Sequence, residues 1–94
     1  MRVLIFGLPG SGKTYLAELL VEYLGEKVAW FNADKVREEA NDWDFSEEGR
    51  LRQNQRMISL CENAEAEGKI AIADFVAPFE KARNNFSADY EIFI

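Results

Sequence analysis

The chain has 94 residues, 48% of them hydrophobic and 30% charged, and a net charge of −6. The composition is that of an ordinary globular chain, and the length allows one small domain. The negative charge argues against non-specific binding to nucleic acid or to anionic membranes, which need basic surface. The single cysteine, Cys61, excludes an intrachain disulfide.

Arg2-Val3-Leu4-Ile5-Phe6 is a short apolar run that reads as a buried strand. Gly7-Leu8-Pro9-Gly10-Ser11-Gly12-Lys13-Thr14 follows and fits G-x-x-x-x-G-K-[ST], the phosphate-cradling P-loop. Its glycines let the backbone curl so that successive N–H groups point inward at phosphate oxygens. The helix that starts there adds a partial positive charge. Lys13, expected to be exposed, reaches the β- and γ-phosphates, and the Thr14 hydroxyl takes one Mg²⁺ position. All eight residues of the motif are therefore candidate ATP-binding residues. The bland alternative is a Gly-rich turn that binds nothing. Leu16, Leu19, Leu20, Tyr23 and Leu24 recur at helical spacing and define the inward face of the first helix.

Gly25 is a plausible cap for that helix. Residues 28–31 read as a second buried strand that ends at Asn32-Ala33-Asp34, and residues 35–40 as a short helix. Asn41-Asp42-Trp43-Asp44 is a turn rich in cap-type residues. Ser46 then starts a long helix over 47–67 with acids in its first turn. Met57, Cys61 and Ala64 share one face of it, which continues backwards through Asn54 or Gln53 to Arg50 and so turns polar. Either this end leaves the core or these groups line a wet site. Cys61 reads as a buried thiol rather than a nucleophile.

After Gly68, residues 70–74 form a third strand that ends on Asp74. Residues 75–79 lead into a last short helix over 81–85, and 89–94 read as a strand at the chain end. The alternation of strand and helix predicts an α/β fold with a parallel sheet and crossover helices. The strand ends at Gly7, Asn32 and Asp74 then share the carboxyl edge, where such sheets bind ligands. Asp34 and Asp74 fall where they face bound phosphates, and Asp74 has the place of a Walker-B-type acid; a solvated loop acid is the alternative. Met1 leads straight into the first strand, so no signal peptide is expected, and no apolar run has transmembrane length. The expected location is the cytoplasm.

Past the P-loop the sequence resembles adenylylsulfate kinase, which phosphorylates the 3′-hydroxyl of adenosine 5′-phosphosulfate with MgATP. The D-G-D-N-x-R motif of that family corresponds to Asn32-Ala33-Asp34-Lys35-Val36-Arg37, which keeps the second Asp and the Arg. Asn41 follows, then Phe45-Ser46-Glu47-Glu48-Gly49-Arg50 in place of F-S-x-x-D-R. Phe75-Val76-Ala77-Pro78-Phe79 with Arg83 matches F-I-S-P-[FY]-x-x-x-R. Asn32, Gly49 and Gln53 (beside Asn54) replace an Asp, an Asp and an Asn. Asp74 stands where the family has Ser or Ala, and Ala77 replaces the motif serine.

The resemblance implies a three-layer P-loop fold, incomplete at the C-terminus, with residues 1–94 forming one truncated kinase-like domain. It implies ATP and Mg²⁺ as cofactors and small nucleotides as substrates. Lys13 and Asp34 would be catalytic, with Asp34 at the acceptor hydroxyl. Thr14, Asp34 and Asp74 would hold the metal. Arg37 and Arg50 would grip the phosphosulfate, and Phe45 would stack on adenine. Asn41, Gln53, Asn54, Phe75 and Val76 complete the acceptor set. Such kinases are often dimers, so self-association is expected. The alternatives are another small P-loop kinase, acting on a nucleotide or metabolite hydroxyl, and a nucleotide-binding remnant without turnover. A regulatory GTPase is disfavoured, since no N-K-x-D motif occurs.

Overall fold

Four strands line up side by side in the order β2-β3-β1-β4, and every neighbouring pair is parallel. They are β1 (Arg2–Gly7), β2 (Val28–Asn32), β3 (Ile70–Val76) and β4 (Tyr90–Phe93). Four α-helices connect them: α1 (Lys13–Leu24), α2 (Ala33–Ala40), α3 (Glu47–Ala66) and α4 (Glu80–Phe86). The structure is a computed structural model that describes residues 1–7, 12–76 and 80–94, with the backbone alone for 76 and 80–82. Leu8, Pro9, Gly10 and Ser11 of the glycine-rich motif, and Ala77, Pro78 and Phe79, lie outside the described residues.

Parallel strands need crossovers, and the crossovers cover both faces of the sheet. Alternation along the strands makes two cores. Val3, Ile5 and Ile72 face α1 and meet Ala17, with Leu16 and Leu20 packed alongside. Leu4, Ala71, Ala73 and Phe75 face the other way and meet Val36 of α2, Met57, Ile58 and Cys61 of α3, and Phe86 of α4. The result is the three-layer α/β arrangement that the strand–helix alternation predicts.

Two predicted helix faces are out of phase. In α1, Ala17 is fully buried, whereas Leu19 is 44% and Tyr23 87% exposed. The small Ala17 side chain lets the helix lie close to the sheet. Leu16 and Leu20 then flank the contact, and Leu19 and Tyr23 rotate outward. In α3 the buried row is Gly49, Gln53, Asn54, Met57, Ile58, Cys61 and Ala64, so Arg50 points to solvent and Gly49 takes the inward place. The cause is the turn before the helix. A Cβ on Gly49 would collide with the Asp44 backbone carbonyl and its carboxyl carbon. That contact fixes the helix phase.

The element ends differ little from expectation. Strand β3 runs two residues past Asp74, with Phe6 opposite Phe75 and Gly7 opposite Val76. Helix α2 starts at Ala33, so Asp34 sits in its first turn rather than on a loop. Asn32 caps that helix, its side-chain oxygen accepting from the Lys35 N–H at 3.1 Å. Gly25 closes α1 at φ 70°, its N–H donating to the Val21 carbonyl. Among the described residues, no helix is long and apolar enough to cross a membrane.

Candidate active site

Register places the functional groups. Asn32 pairs with Asp74 across β2 and β3, and Ile5 of β1 pairs with Asp74 on its other side. Asp74 therefore lies on the middle strand of three, near their carboxyl ends, on the face that α1 covers. It is 3% exposed. Two donors hold its carboxylate: Trp30 Nε1 reaches Oδ2 at 2.5 Å, and Asn32 Nδ2 reaches Oδ1 at 2.9 Å. Burial raises its pKa, against the hydrogen bonds of Trp30 and Asn32 and the charge of Lys13.

Lys13 is 8% exposed, so the expected exposed lysine is instead buried. The reason is its place at the first position of α1, where the helix meets the sheet above Asp74. Gly12 before it adopts φ 98°, a left-handed conformation that disfavours a side chain. Thr14 is exposed in the first helical turn, at the same sheet edge.

Asp34 is exposed. Its charge acts on Asp74 from one side and on Arg37 from the other. Arg37 also feels Arg50. Lys13 and Asp34 thus both act on Asp74, and Asp34 and Arg50 both act on Arg37.

Arg37 is buried, at 6% exposure. Burial lowers its pKa, with Arg56 and Arg50 acting the same way and Asp42 and Asp34 opposing. Its Nη1 donates to the backbone carbonyls of Asp42 and Asp44 at 3.1 and 3.2 Å, and its guanidinium lies 4.5 Å from the Phe45 ring centre. It thus anchors the 41–46 loop from below, and Phe45 projects above it with its ring 56% exposed. Trp43 lies beside Phe45, with ring centres 6.4 Å apart.

The other expected acceptor residues are built into the fold. Asn41 adopts a left-handed conformation at φ 51° and caps α2, its N–H donating to the Arg37 and Glu38 carbonyls. Gln53 is buried; its amide donates to the Ala33 carbonyl at 2.9 Å and its oxygen accepts from Arg56 at 3.0 Å. Asn54 is buried on the same helix. The Phe75 side chain packs edge-on against Phe86 in the core, at 5.8 Å between ring centres, so any acceptor contact there falls to its backbone. Of Val76 only the backbone is described, hydrogen-bonded beside Gly7.

Sequence reasoning missed three groups. Trp30 read as a core aromatic, yet its N–H is aimed at Asp74. Arg52 and Arg56 clamp the loop. Arg52 Nε donates to Asp42 Oδ2 at 2.8 Å and its Nη2 to Oδ1 at 3.1 Å, and Arg56 Nη2 donates to Oδ2 at 2.5 Å. These bonds, Arg52 foremost, hold the Asp42 carboxyl well below the usual carboxylate range. The available signal was the spacing: two arginines one helical turn apart, following an Asp-x-Asp turn. Cys61 is buried as expected, which pushes its thiol up to about 12.

The family model described as adenylylsulphate kinase matches residues 1–92. The chain belongs to the adenylylsulphate kinase family. Family members are ATP-dependent kinases. A sulfate adenylyltransferase of Neurospora crassa is 33% identical over 88 residues, which is 88% of this chain and 15% of that protein. The crystal structure of APE1195 superposes with a TM-score of 0.83 at 34% identity, over 92% of this chain and 52% of that one. The APS kinase of Mycobacterium tuberculosis superposes with a TM-score of 0.80 at 24% identity, over 98% of this chain and 73% of that one, a likeness of fold. The chain thus spans about half of the first of these structures and a small part of the Neurospora protein.

Proposed function

We propose that the chain carries the nucleotide and acceptor sites of an ATP-dependent kinase that phosphorylates the 3′-hydroxyl of adenosine 5′-phosphosulfate. The observation that supports it most is the buried pair of charges at the carboxyl ends of the strands: Lys13 at the start of α1 and Asp74 held by Trp30 and Asn32, with Asp34 in the first turn of α2 after β2. A phosphoryl transfer needs a cation on the transferred group, oxygen donors for a divalent metal, and a carboxylate beside the acceptor hydroxyl.

Lys13 supplies the cation. ATP is held by the Gly7–Thr14 segment, with the N-terminus of α1 facing the phosphates. The oxygen donors of Thr14, Asp34 and Asp74 suit Mg²⁺, a hard ion that takes one or two carboxylates and relies on substrate phosphates for other positions. When bound, the ion neutralises phosphate charge. Asp34 orients the acceptor hydroxyl and receives its proton. Arg37 fixes the wall that presents Phe45 to a purine, and Arg50 meets the acceptor anion from the start of α3.

Titration calorimetry of ATP and of adenosine 5′-phosphosulfate, followed by a transfer assay, tests this reading. Binding of both ligands, with transfer to the 3′-hydroxyl, supports it. Binding of ATP with transfer only to a different hydroxyl compound would replace the acceptor. Asn32, Gly49 and Gln53 would then be the first residues to examine, since they depart from the family motif.

A further inference from the structure

Asn32 and Asp74 are direct register partners on two parallel strands, with both side chains on the face that α1 covers. Their side chains meet at 2.9 Å, amide to carboxylate, and Asp74 is 3% exposed. Two carboxylates at this distance, shielded from water, would repel strongly, and two amides would leave Lys13 facing no charge from this pair. The pair therefore suits one negative charge.

We propose that Asn32 and Asp74 form a single-charge unit whose carboxylate can sit on either strand, and that Trp30 is the positioning residue that fixes it on β3. The inference rests on the nucleotide-binding reading above for its functional half. Its geometric half stands alone. The Trp30 N–H takes Asp74 Oδ2 at 2.5 Å while Asn32 takes Oδ1, so the carboxylate is held in one orientation toward the phosphate end of α1. Exchanging the two residues preserves these bonds. In the exchanged pair the residue 74 amide oxygen accepts from Trp30, and its N–H donates to the acid at 32. The new acid can also go on capping α2, because a carboxylate accepts from the Lys35 N–H as an amide oxygen does.

The test is a cycle of Asn32→Asp, Asp74→Asn and the double exchange, with Trp30→Phe added to the wild type and to the double exchange. Two quantities are read on the 94-residue chain: the melting temperature, and the ratio of ATP affinity with excess Mg²⁺ to that with chelator. Asn32→Asp should lower the melting temperature, and the double exchange should return it close to wild type. Asp74→Asn should also lower the melting temperature, because its amide offers one acceptor oxygen to two buried donors, Trp30 Nε1 and Asn32 Nδ2. It should reduce the Mg²⁺-dependent gain in ATP affinity about tenfold, and the double exchange should recover that gain to within about threefold. Trp30→Phe keeps an aromatic six-membered ring but removes the pyrrole half of the indole and with it the N–H. It should cut the Mg²⁺-dependent gain several-fold in the wild type, less in the double exchange, and leave metal-free ATP affinity unchanged. A double exchange no better than the sum of its single changes would overturn the paired charge. A Trp30→Phe effect equal with and without metal would overturn the positioning role. If the wild type binds no ATP, the kinase reading fails, and the melting-temperature cycle alone supports or overturns the pair.

Discussion

In the proposed reading Asp34 and Lys13 carry separate parts of the chemistry, and substitution should separate them. Lys13→Met keeps most of the stem's packing but removes the charge that Asp74 faces. It should fold with wild-type circular dichroism and weaken ATP binding about tenfold or more in calorimetry. Asp34→Asn is an exposed, isosteric change. In a transfer assay it should lower kcat more than it raises KM, because it acts on the reacting hydroxyl. Equal proportional effects on both constants would make Asp34 a binding residue. The places of both residues in the fold were legible in the sequence, one at the strand–helix turn of the P-loop pattern and one just after β2. Their surroundings were not. The burial of Lys13 depends on how closely α1 approaches the sheet, which the small side chain of Ala17 sets. The aim of the Trp30 N–H depends on register between strands 42 residues apart or more, and no local pattern encodes that.

At the level of the element, the 41–46 loop and the start of α3 are one built unit. Asp44 Oδ1 accepts from the Ser46 N–H at 2.9 Å, and Ser46 Oγ caps the helix by accepting from the Gly49 N–H at 3.2 Å. The Asp44 backbone lies where a Gly49 side chain would be. In most helix interiors Gly→Ala stabilises by about 0.5–1 kcal/mol. Here Gly49→Ala should do the reverse, lowering the thermal midpoint, because a Cβ would lie 2.2 Å from the Asp44 carbonyl oxygen and the loop backbone must move aside. A higher midpoint would refute the contact. The same unit makes the loop acid-sensitive. Asp42 has a folded pKa held below its ordinary 3.8 by Arg52 and Arg56, so its contribution to stability is present above that value. It is lost as the pH falls through the lower, folded value. Asp42→Asn should reduce stability at neutral pH and flatten the acid limb of a stability–pH curve below about pH 4. The Ser46 cap was readable from the sequence because capping is local. The phase of α3 was not, since the apolar stripe is interrupted by Gln53 and Asn54 and the deciding contact lies in the preceding turn.

For the molecule as a whole, strand and helix alternation was enough to predict parallel strands, three layers and a shared carboxyl edge. The neighbour relations of the sheet had to come from tertiary packing. β4 forms one border of the sheet, with Tyr90 59% and Phe93 71% exposed. Aromatic exposure along a border strand favours self-association. Sedimentation velocity should therefore show a sedimentation coefficient that rises with concentration, and Phe93→Ser should reduce the rise. A constant coefficient over a hundredfold range would argue for a monomer. The central proposal is that one sheet edge holds both the nucleotide site and the acceptor site. Transfer of label from γ-labelled ATP to adenosine 5′-phosphosulfate, compared between the wild type and Lys13→Met, tests it most directly. The expected result is a labelled 3′-phosphate with wild type, little with Lys13→Met, and no label on the protein itself. No transfer by the wild type, or equal transfer by both proteins, would contradict it.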